Sequence, residues 1–200
     1  MKKIVYFILL SVILISCAPM PLLIDDRLSY SSNRAMRNEF GRYEKINFEI
    51  DKNTEGLVIL QRPSSITTSA VTFSFSIGKV FSAYLYQINE ALFIEECNDC
   101  LSVKVKITDC KIAFTNSALT HWSTPARVVV DYFKMDISIE VQYQKNNKNT
   151  FVKNYHYTSV KSLKINEIDT ANSDTAIVWV IEDVVKKLVQ DIIKEQNINN

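Results

Sequence analysis

Residues 101–114 read LSVKVKITDCKIAF, and apolar side chains occupy every second position from Leu101 to Ile107. Such alternation is typical of a strand with one buried face. The alternation resumes in the opposite phase over Cys110–Phe114. A period of two changes face only where a residue is added, so the sequence predicts a β-bulge near Thr108-Asp109.

Residues 128–143 read VVVDYFKMDISIEVQY and change phase in the same way, between Tyr132 and Phe133. Because both stretches change phase in the same way, the sequence predicts that this strand and the preceding one are neighbours in the sheet and bend together. The run Asn146–Asn149 predicts a hairpin turn, because Asn tolerates the left-handed backbone that such turns need. A third strand follows over residues 151–157. Short turns between consecutive strands indicate an antiparallel sheet.

Two stretches carry the period of an amphipathic helix. In residues 79–93 and 175–195, apolar side chains fall on one face and charged or amide side chains on the other. The run Asn172–Asp174 supplies an N-terminal cap for the second helix. The predicted fold class is therefore α+β, an antiparallel sheet with long bent strands and two amphipathic helices packed on one face.

Shorter patterns precede this core. Residues 46–50 and 71–75 alternate as half-buried strands do, and the apolar run 57–60 predicts a short buried strand. Residues 51–56 are polar and are predicted to form a turn.

The domain organisation follows from these patterns. Leu22–Ile24 is an apolar run that either lies on a membrane surface or docks on the domain. The predicted parts are a signal peptide (1–16), a lipidated N-terminus and tether (17–45), a single α+β domain (46–196) and a frayed tail (197–200).

The start of the chain predicts export. Lys2 and Lys3 precede an almost wholly apolar run, Ile4–Ile15, which makes about 18 Å of helix and is shorter than the roughly 30 Å core of a bilayer. The run ends in Leu14-Ile15-Ser16-Cys17, which resembles the lipobox of bacterial lipoproteins. The resemblance implies diacylglycerol on the Cys17 thiol and cleavage before Cys17. A transmembrane anchor, or an ordinary secreted protein with a chance Cys, is the alternative.

The residue after Cys17 bears on location. In the enteric sorting pattern that this region resembles, Asp at that position retains a lipoprotein in the inner membrane. Ala18 therefore favours the outer membrane, with the domain facing the periplasm. Two or three acyl chains on Cys17 hold a protein stably at a membrane.

Composition excludes several classes of protein. The 200 residues are 47% hydrophobic and 22% charged, as in globular domains. The chain has 23 Lys and Arg residues and 22 Asp and Glu residues, so its net charge is +1. This balance does not indicate the basic surface that nucleic-acid-binding proteins carry. We expect no nucleic-acid partner.

Three cysteines remain after Cys17, namely Cys97, Cys100 and Cys110. An exported compartment permits disulfides, and the sequence favours a local Cys97–Cys100 disulfide, with free thiols as the alternative. Cys100 starts a predicted strand, whereas a redox C-x-x-C normally starts a helix. One strand over 101–110 would separate Cys100 from Cys110 by about 33 Å, beyond the roughly 7 Å limit of a disulfide. The spacing to His121 is not that of a zinc site.

The second half of the chain, Leu101 to Ile193, resembles the small periplasm-facing lipoproteins of the YajG type. It is similar, more distantly, to the auxiliary lipoproteins of ABC transporters and to the lipoprotein plug of lipopolysaccharide-assembly barrels. The resemblance lies in Ala126–Val128, Met135–Ile139, the Asn-rich turn, Tyr155–Tyr157 and the capped last helix. It implies no catalytic residues and no cofactor.

These observations predict a membrane-anchored, non-enzymatic lipoprotein with a structural or adaptor role in the envelope. The alternative is a lipid- or lipopolysaccharide-binding component of an envelope transport or assembly system. The only two imidazoles, His121 and His156, accompany no hydrolase, metalloprotease or nucleotide-binding motif. We expect no metal site.

Two aromatic residues occupy unexpected helix positions. Trp179 lies about 200° around the last helix from Ile177, opposite the apolar stripe, and Tyr86 lies on the polar face of the first helix. Trp is frequent in binding hot spots, so both are candidate partner contacts. Alternatively, Trp179 packs under the loop 116–125, near Trp122.

Overall fold

The computed structural model describes residues 19–27, 29, 32, 34, 35, 38, 46–64, 71–92, 101–119, 127–145, 148–168 and 171–198. The fold is α+β, as the sequence predicts. Its elements, in chain order, are β1 (Met20–Leu22), β2 (Ile46–Ile50), α1 (Lys52–Glu55), β3 (Ile59–Gln61), β4 (Phe73–Phe75), α2 (Ile77–Leu92), β5 (Leu101–Leu119), β6 (Arg127–Lys145), β7 (Lys148–Ser162), α3 (Ile165–Ile168) and α4 (Thr175–Ile198).

The larger sheet has the strand order β2-β5-β6-β7. Strands β5, β6 and β7 are antiparallel, as predicted. Strand β2, however, runs parallel to β5, with Ile46 opposite Leu101, so the prediction of a wholly antiparallel sheet is wrong. A parallel pair needs a long crossover, and the chain between Ile50 and Leu101 contains helix α2 and provides one.

The predicted bulges are present in both long strands. In β5, Ile107 pairs with Ile139 and Asp109 with Ser138, which leaves Thr108 as the added residue. The second bulge leaves Asp131 of β6 without a partner in the pairing with β5, within one residue of the predicted position. Each bulge adds one residue to its strand, which accounts for the change of phase in the sequence.

Both long helices pack on the same face of this sheet. Helix α2 lies against β2, and helix α4 lies against β6 and β7. The inward side chains of the strands form one core with the apolar stripes of the helices. Core side chains such as Phe81, Phe133 and Val184 are fully buried. The outward positions of β5, β6 and β7 are mostly polar, so the sheet has one packed and one solvated face.

A second, three-stranded sheet of order β1-β4-β3 is not predicted by the sequence. Strand β1 comes from the predicted tether and runs parallel to β4. Strand β3 overlaps the predicted buried strand 57–60, but the side chain of Leu60 is 56% exposed because only one face of this sheet meets the core. Strands of three residues are too short to show a period.

The boundaries of the shorter elements differ from the prediction. Residues 51–56 contain α1, in which the carboxylate of Asp51 accepts a hydrogen bond from Asn53 N and caps the helix. Helix α2 begins two residues earlier than expected, so that Gly78 lies in its first turn. No helix in the described part of the chain is both long and apolar enough to cross a bilayer.

Gly78 allows α2 to start directly against the α1 turn. Its N–H donates to the carbonyl of Leu57 over 3.0 Å. A Cβ at this position would lie 1.8 Å from the carbonyl oxygen of Thr54 and 2.8 Å from the backbone nitrogen of Leu57. These are backbone atoms and cannot rotate away, so only glycine fits.

We therefore expect Gly78→Ala to lower the free energy of unfolding by about 2 kcal/mol or more, since overpacking outweighs the roughly 1 kcal/mol of helix propensity that alanine gains. Gly56→Ala is the matched control, because the nearest atom to its Cβ is 3.6 Å away. The control should leave stability unchanged or slightly raised. Urea denaturation measures both, and equal stabilities for the two variants would refute the close packing at Gly78.

Candidate functional site

Trp179 is exposed on the outer side of α4. Its neighbours Val180 and Ile181 are fully buried against the sheet, whereas the Trp179 side chain is 44% exposed. The ammonium group of Lys161, from the end of β7, lies 5.6 Å from the centre of the indole ring, within the range of a cation–π contact. The contact holds the ring beside β7. The loop 116–125 that was the alternative packing partner lies largely outside the described residues, as does Trp122.

A groove of about 910 Å³ opens beside Trp179. Its walls are the first turns of α4, the end of β7, helix α3 and the N-terminal segment, by which we mean Pro19–Arg27 together with Ser29 and Ser32. Ionisable side chains of both signs line it, namely Arg27, Lys161, Lys186, Asp25, Glu167, Asp174, Glu182 and Asp183, with Leu163, Val178 and Trp179 among the apolar ones.

Two carboxylates, that of Asp174 immediately before α4 and that of Glu182 within it, hold the N-terminal segment in place. The backbone N–H of Asp25 donates to Asp174 over 2.7 Å. Glu182, only 7% exposed, accepts hydrogen bonds from the N–H of Ser29 (2.7 Å), the hydroxyl of Ser29 (3.1 Å) and the hydroxyl of Ser32 (2.6 Å). Sequence reasoning assigned Glu182 to the polar face of the helix, and no local pattern signals that a distant serine pair would cover it.

Helix α2 holds the same segment from the other side. The hydroxyl of Tyr84 donates to the carbonyl of Asp25 over 2.9 Å, and the amide of Gln87 donates to the carbonyl of Asp26 over 2.6 Å. Burial, reinforced by the charge of Glu182, raises the pKa of Tyr84, so the phenol remains a donor.

Of the predicted tether, Met20–Arg27, Ser29 and Ser32 are therefore docked on the domain. Leu22 and Ile24 are partly buried and pack against the core, which matches the docking alternative for that run. Hydrogen bonds to two helices, together with the pairing of β1 and β4, hold these residues on the domain.

Tyr86 belongs to a different surface. Its side chain is 39% exposed, and its hydroxyl donates to Glu55 of α1 over 3.1 Å. Burial and this hydrogen bond raise the pKa of Tyr86. Helix α2 lies over the β2 side of the sheet and Trp179 over the β7 side, so the structure does not bring the two aromatic residues together.

The cysteines fall mainly outside the described residues, which exclude Cys17, Cys97 and Cys100. Cys110 is a free thiol on β5. Burial, together with the charges of Asp109 and Asp136, raises its pKa to about 12. Very little thiolate then exists at neutral pH, so this thiol is a poor nucleophile.

His156 lies on the solvated face of the sheet, where its Nδ1 is 3.1 Å from the hydroxyl of Ser138. A nucleophilic pair of this kind needs a carboxylate to orient the imidazole. Asp136 instead accepts hydrogen bonds from Thr158 (2.5 Å) and Lys134 (2.9 Å), which together lower its pKa. His121 is outside the described residues. Among those described, no three metal-binding side chains converge.

Two further carboxylates of α4 also bind structural groups. Asp183 accepts a hydrogen bond from the hydroxyl of Ser159 over 2.6 Å, and Asp191 accepts one from the hydroxyl of Tyr157 over 2.9 Å. Both donors lie on β7. Helix α4 is thus bonded to β7 on one side and to the N-terminal segment on the other.

No family model matches the chain, and no curated protein matches it. Among solved structures, a minor lipoprotein from Acinetobacter baumannii is similar at 11% identity and a TM-score of 0.35, over 77% of this chain and 93% of that one. Rare lipoprotein B from Shewanella oneidensis is similar at 8% identity and a TM-score of 0.35, over 78% of this chain and 100% of that one. At these TM-scores the likeness is coarse.

Trp179→Ala should lower the free energy of unfolding by about 1 kcal/mol or less, because the ring is half exposed and its cation–π contact is at the surface. The matched control is Phe81→Ala in α2, where a fully buried ring is removed at a cost of about 3–5 kcal/mol. Chemical denaturation measures both. Equal costs would mean that Trp179 is a core residue.

Proposed function

We propose that this chain is a lipoprotein of the outer membrane, anchored by lipid on Cys17, that faces the periplasm and acts as a non-enzymatic adaptor for an envelope protein. The observation that carries the proposal is the short distance between anchor and fold. Only two residues, Ala18 and Pro19, lie between Cys17 and Met20, the first residue of β1. The three Cα-to-Cα steps from Cys17 to Met20 span at most about 11 Å.

A short link restricts how the domain sits at the membrane. The N-terminal segment continues from β1 into hydrogen bonds with Asp174, Tyr84 and Glu182. A domain so attached presents the same surfaces to its surroundings at all times. This suits a protein that must meet a partner in one orientation, because pre-organisation reduces the entropy lost on binding.

The groove beside Trp179 favours a protein partner over an acyl chain. Cavities for small apolar ligands are lined mainly by hydrophobic side chains, whereas this groove carries lysine, arginine and carboxylate groups together. An exposed Trp at the edge of a polar groove is a typical interface anchor. The core between helices and sheet is filled by fully buried side chains such as Phe81 and Met135, which leaves acyl chains little room there.

The use of the ionisable groups supports a non-enzymatic role. The carboxylates of Asp174, Glu182, Asp183 and Asp191 each bind a group that joins two elements of the fold. The raised pKa of Cys110 removes a candidate nucleophile at neutral pH. These groups stabilise the structure, and the proposal assigns no catalytic step to them.

In-cell photo-crosslinking tests the proposal. The photoreactive residue p-benzoylphenylalanine replaces Trp179 in one strain and, as a control, Asn154 on the solvated face of the sheet in another. A third strain combines the probe at position 179 with Cys17→Ala. We expect position 179 to give a defined adduct with an envelope protein and position 154 to give none. Cys17→Ala should abolish lipid labelling and weaken the adduct, because the anchor raises the local concentration.

Each arm can contradict a separate part of the proposal. Lipid labelling that persists in Cys17→Ala would overturn the anchor. An adduct with lipid or lipopolysaccharide alone would favour the lipid-binding alternative. Absence of any adduct from position 179 would contradict the adaptor role of the groove.

A further inference from the structure

The small sheet β1-β4-β3 carries a cluster of exposed apolar side chains. Met20 and Leu23 lie on or beside β1, Val58 and Leu60 on or beside β3, and Val71 precedes β4; all are among the large exposed hydrophobic residues of the described chain. By strand alternation Met20 and Val71 share the side of the sheet of the buried Phe73, whereas Leu23, Val58 and Leu60 share the opposite side. Exposed apolar side chains grouped on one side of a sheet usually mark an interaction site.

Strand register defines the outer face of this sheet. Pro21 of β1, Ser74 of β4 and Leu60 of β3 are aligned across the three strands. The adjacent row contains Phe73 and Phe75, which are buried. Because successive side chains alternate, Pro21, Ser74 and Leu60 point away from the core. Leu23, just after β1 and two residues after Pro21, and Val58, just before β3 and two residues before Leu60, are at least half exposed and extend the same surface.

The charge of this surface is one-sided. The stretches 19–24, 58–62 and 71–76, which form the sheet and its edges, contain no Asp or Glu, although the whole chain has 22. Their one charged side chain is Arg62, whose Nε donates to the hydroxyl of Thr72 over 3.3 Å. Apolar groups, hydroxyls and a cation without acids are the composition that favours an anionic membrane interface.

The described chain enters this sheet at its Arg62 end. Strand β1 begins at Met20, three residues after Cys17, and pairs through Phe73 with Gln61, the neighbour of Arg62. A link that spans about 11 Å keeps this end of the sheet within that distance of the headgroups when Cys17 carries lipid. Among the large exposed hydrophobic residues of the described chain, Met20 and Leu23 are the nearest to Cys17 in sequence.

We propose that the outer face of the small sheet, with Leu60, Val58 and Leu23, docks on the phospholipid bilayer to which Cys17 is anchored. The inference rests on the proposed lipidation and adds a second membrane contact to it. The acyl chains supply the affinity, and the sheet fixes the orientation, with Arg62 at the headgroups.

Fluorescence quenching by brominated lipids tests the docking. The acylated, full-length mature protein is reconstituted in phosphatidylethanolamine–phosphatidylglycerol vesicles with brominated acyl chains. All variants carry Trp122→Phe and Trp179→Phe, and a single new Trp replaces Leu60, Val58 or Val160. Val160, which is 43% exposed on the solvated face of β7, serves as the control.

We expect the Trp at position 60 to be quenched about twofold or more strongly than the Trp at position 160, because interfacial side chains penetrate roughly 5–10 Å into the membrane. The Trp at position 58 should behave as at position 60, which guards against one variant that does not fold; circular dichroism checks the fold of each. Equal quenching at positions 60, 58 and 160 would overturn the docking.

Two further measurements distinguish a failure of the proposed function from a failure of the docking. Intact mass determines whether Cys17 is acylated in the same preparation. Absence of acylation would overturn the proposed function, whereas acylation with equal quenching would overturn only the docking. A Trp at position 60 that is shielded from iodide but not quenched by brominated lipid would mean that protein, not lipid, covers the sheet, and this too would overturn it.

Discussion

The buried carboxylate of Glu182 is the contact on which the course of the N-terminal segment depends. A carboxylate taken out of water must be satisfied by donors, and three of them come from Ser29 and Ser32. Leaving that group unsatisfied would cost more than an ordinary hydrogen bond contributes. These hydrogen bonds therefore fix Ser29 and Ser32 against α4. The hydrogen bond from the N–H of Asp25 to Asp174 fixes the chain closer to β1.

The position of the N-terminal segment connects the small sheet with the groove beside Trp179. Strand β1 starts at the small sheet, next to the proposed lipid anchor, and the chain after it forms one wall of the groove beside Trp179. A single ordered segment thus leads from the membrane end of the domain to the proposed partner surface. In the proposed arrangement, lipid on Cys17 would set both the location of the domain and the direction in which Trp179 faces.

The long elements could be predicted from sequence because each repeats its period many times. Strands β5 and β6 contain 19 residues each, so a change of phase such as that at Thr108 is visible as a bulge. Strands of three residues, such as β1 and β3, carry no such signal. The parallel pairing of β2 was also missed, because alternation within a strand does not reveal its direction relative to a neighbour.

The candidate site was predicted only in part, for a related reason. Helix period places Trp179 opposite the apolar stripe, and in the structure its side chain is 44% exposed. The burial of Glu182 depends on Ser29 and Ser32, which lie about 150 positions earlier in the chain. Helix period assigns a glutamate to the polar face whether or not a distant segment later covers it. The groove itself is formed by four elements and has no sequence signature.

The central claim is that the lipid anchor holds the domain directly at the membrane surface. Neutron reflectometry of the acylated protein on a supported bilayer measures this most directly, since it resolves the hydrated space between headgroups and protein. The account predicts that protein density begins at the headgroups, within the roughly 11 Å that three residues span. A water-rich layer of about 30 Å, the average reach of a flexible tether over residues 17–45, would contradict it.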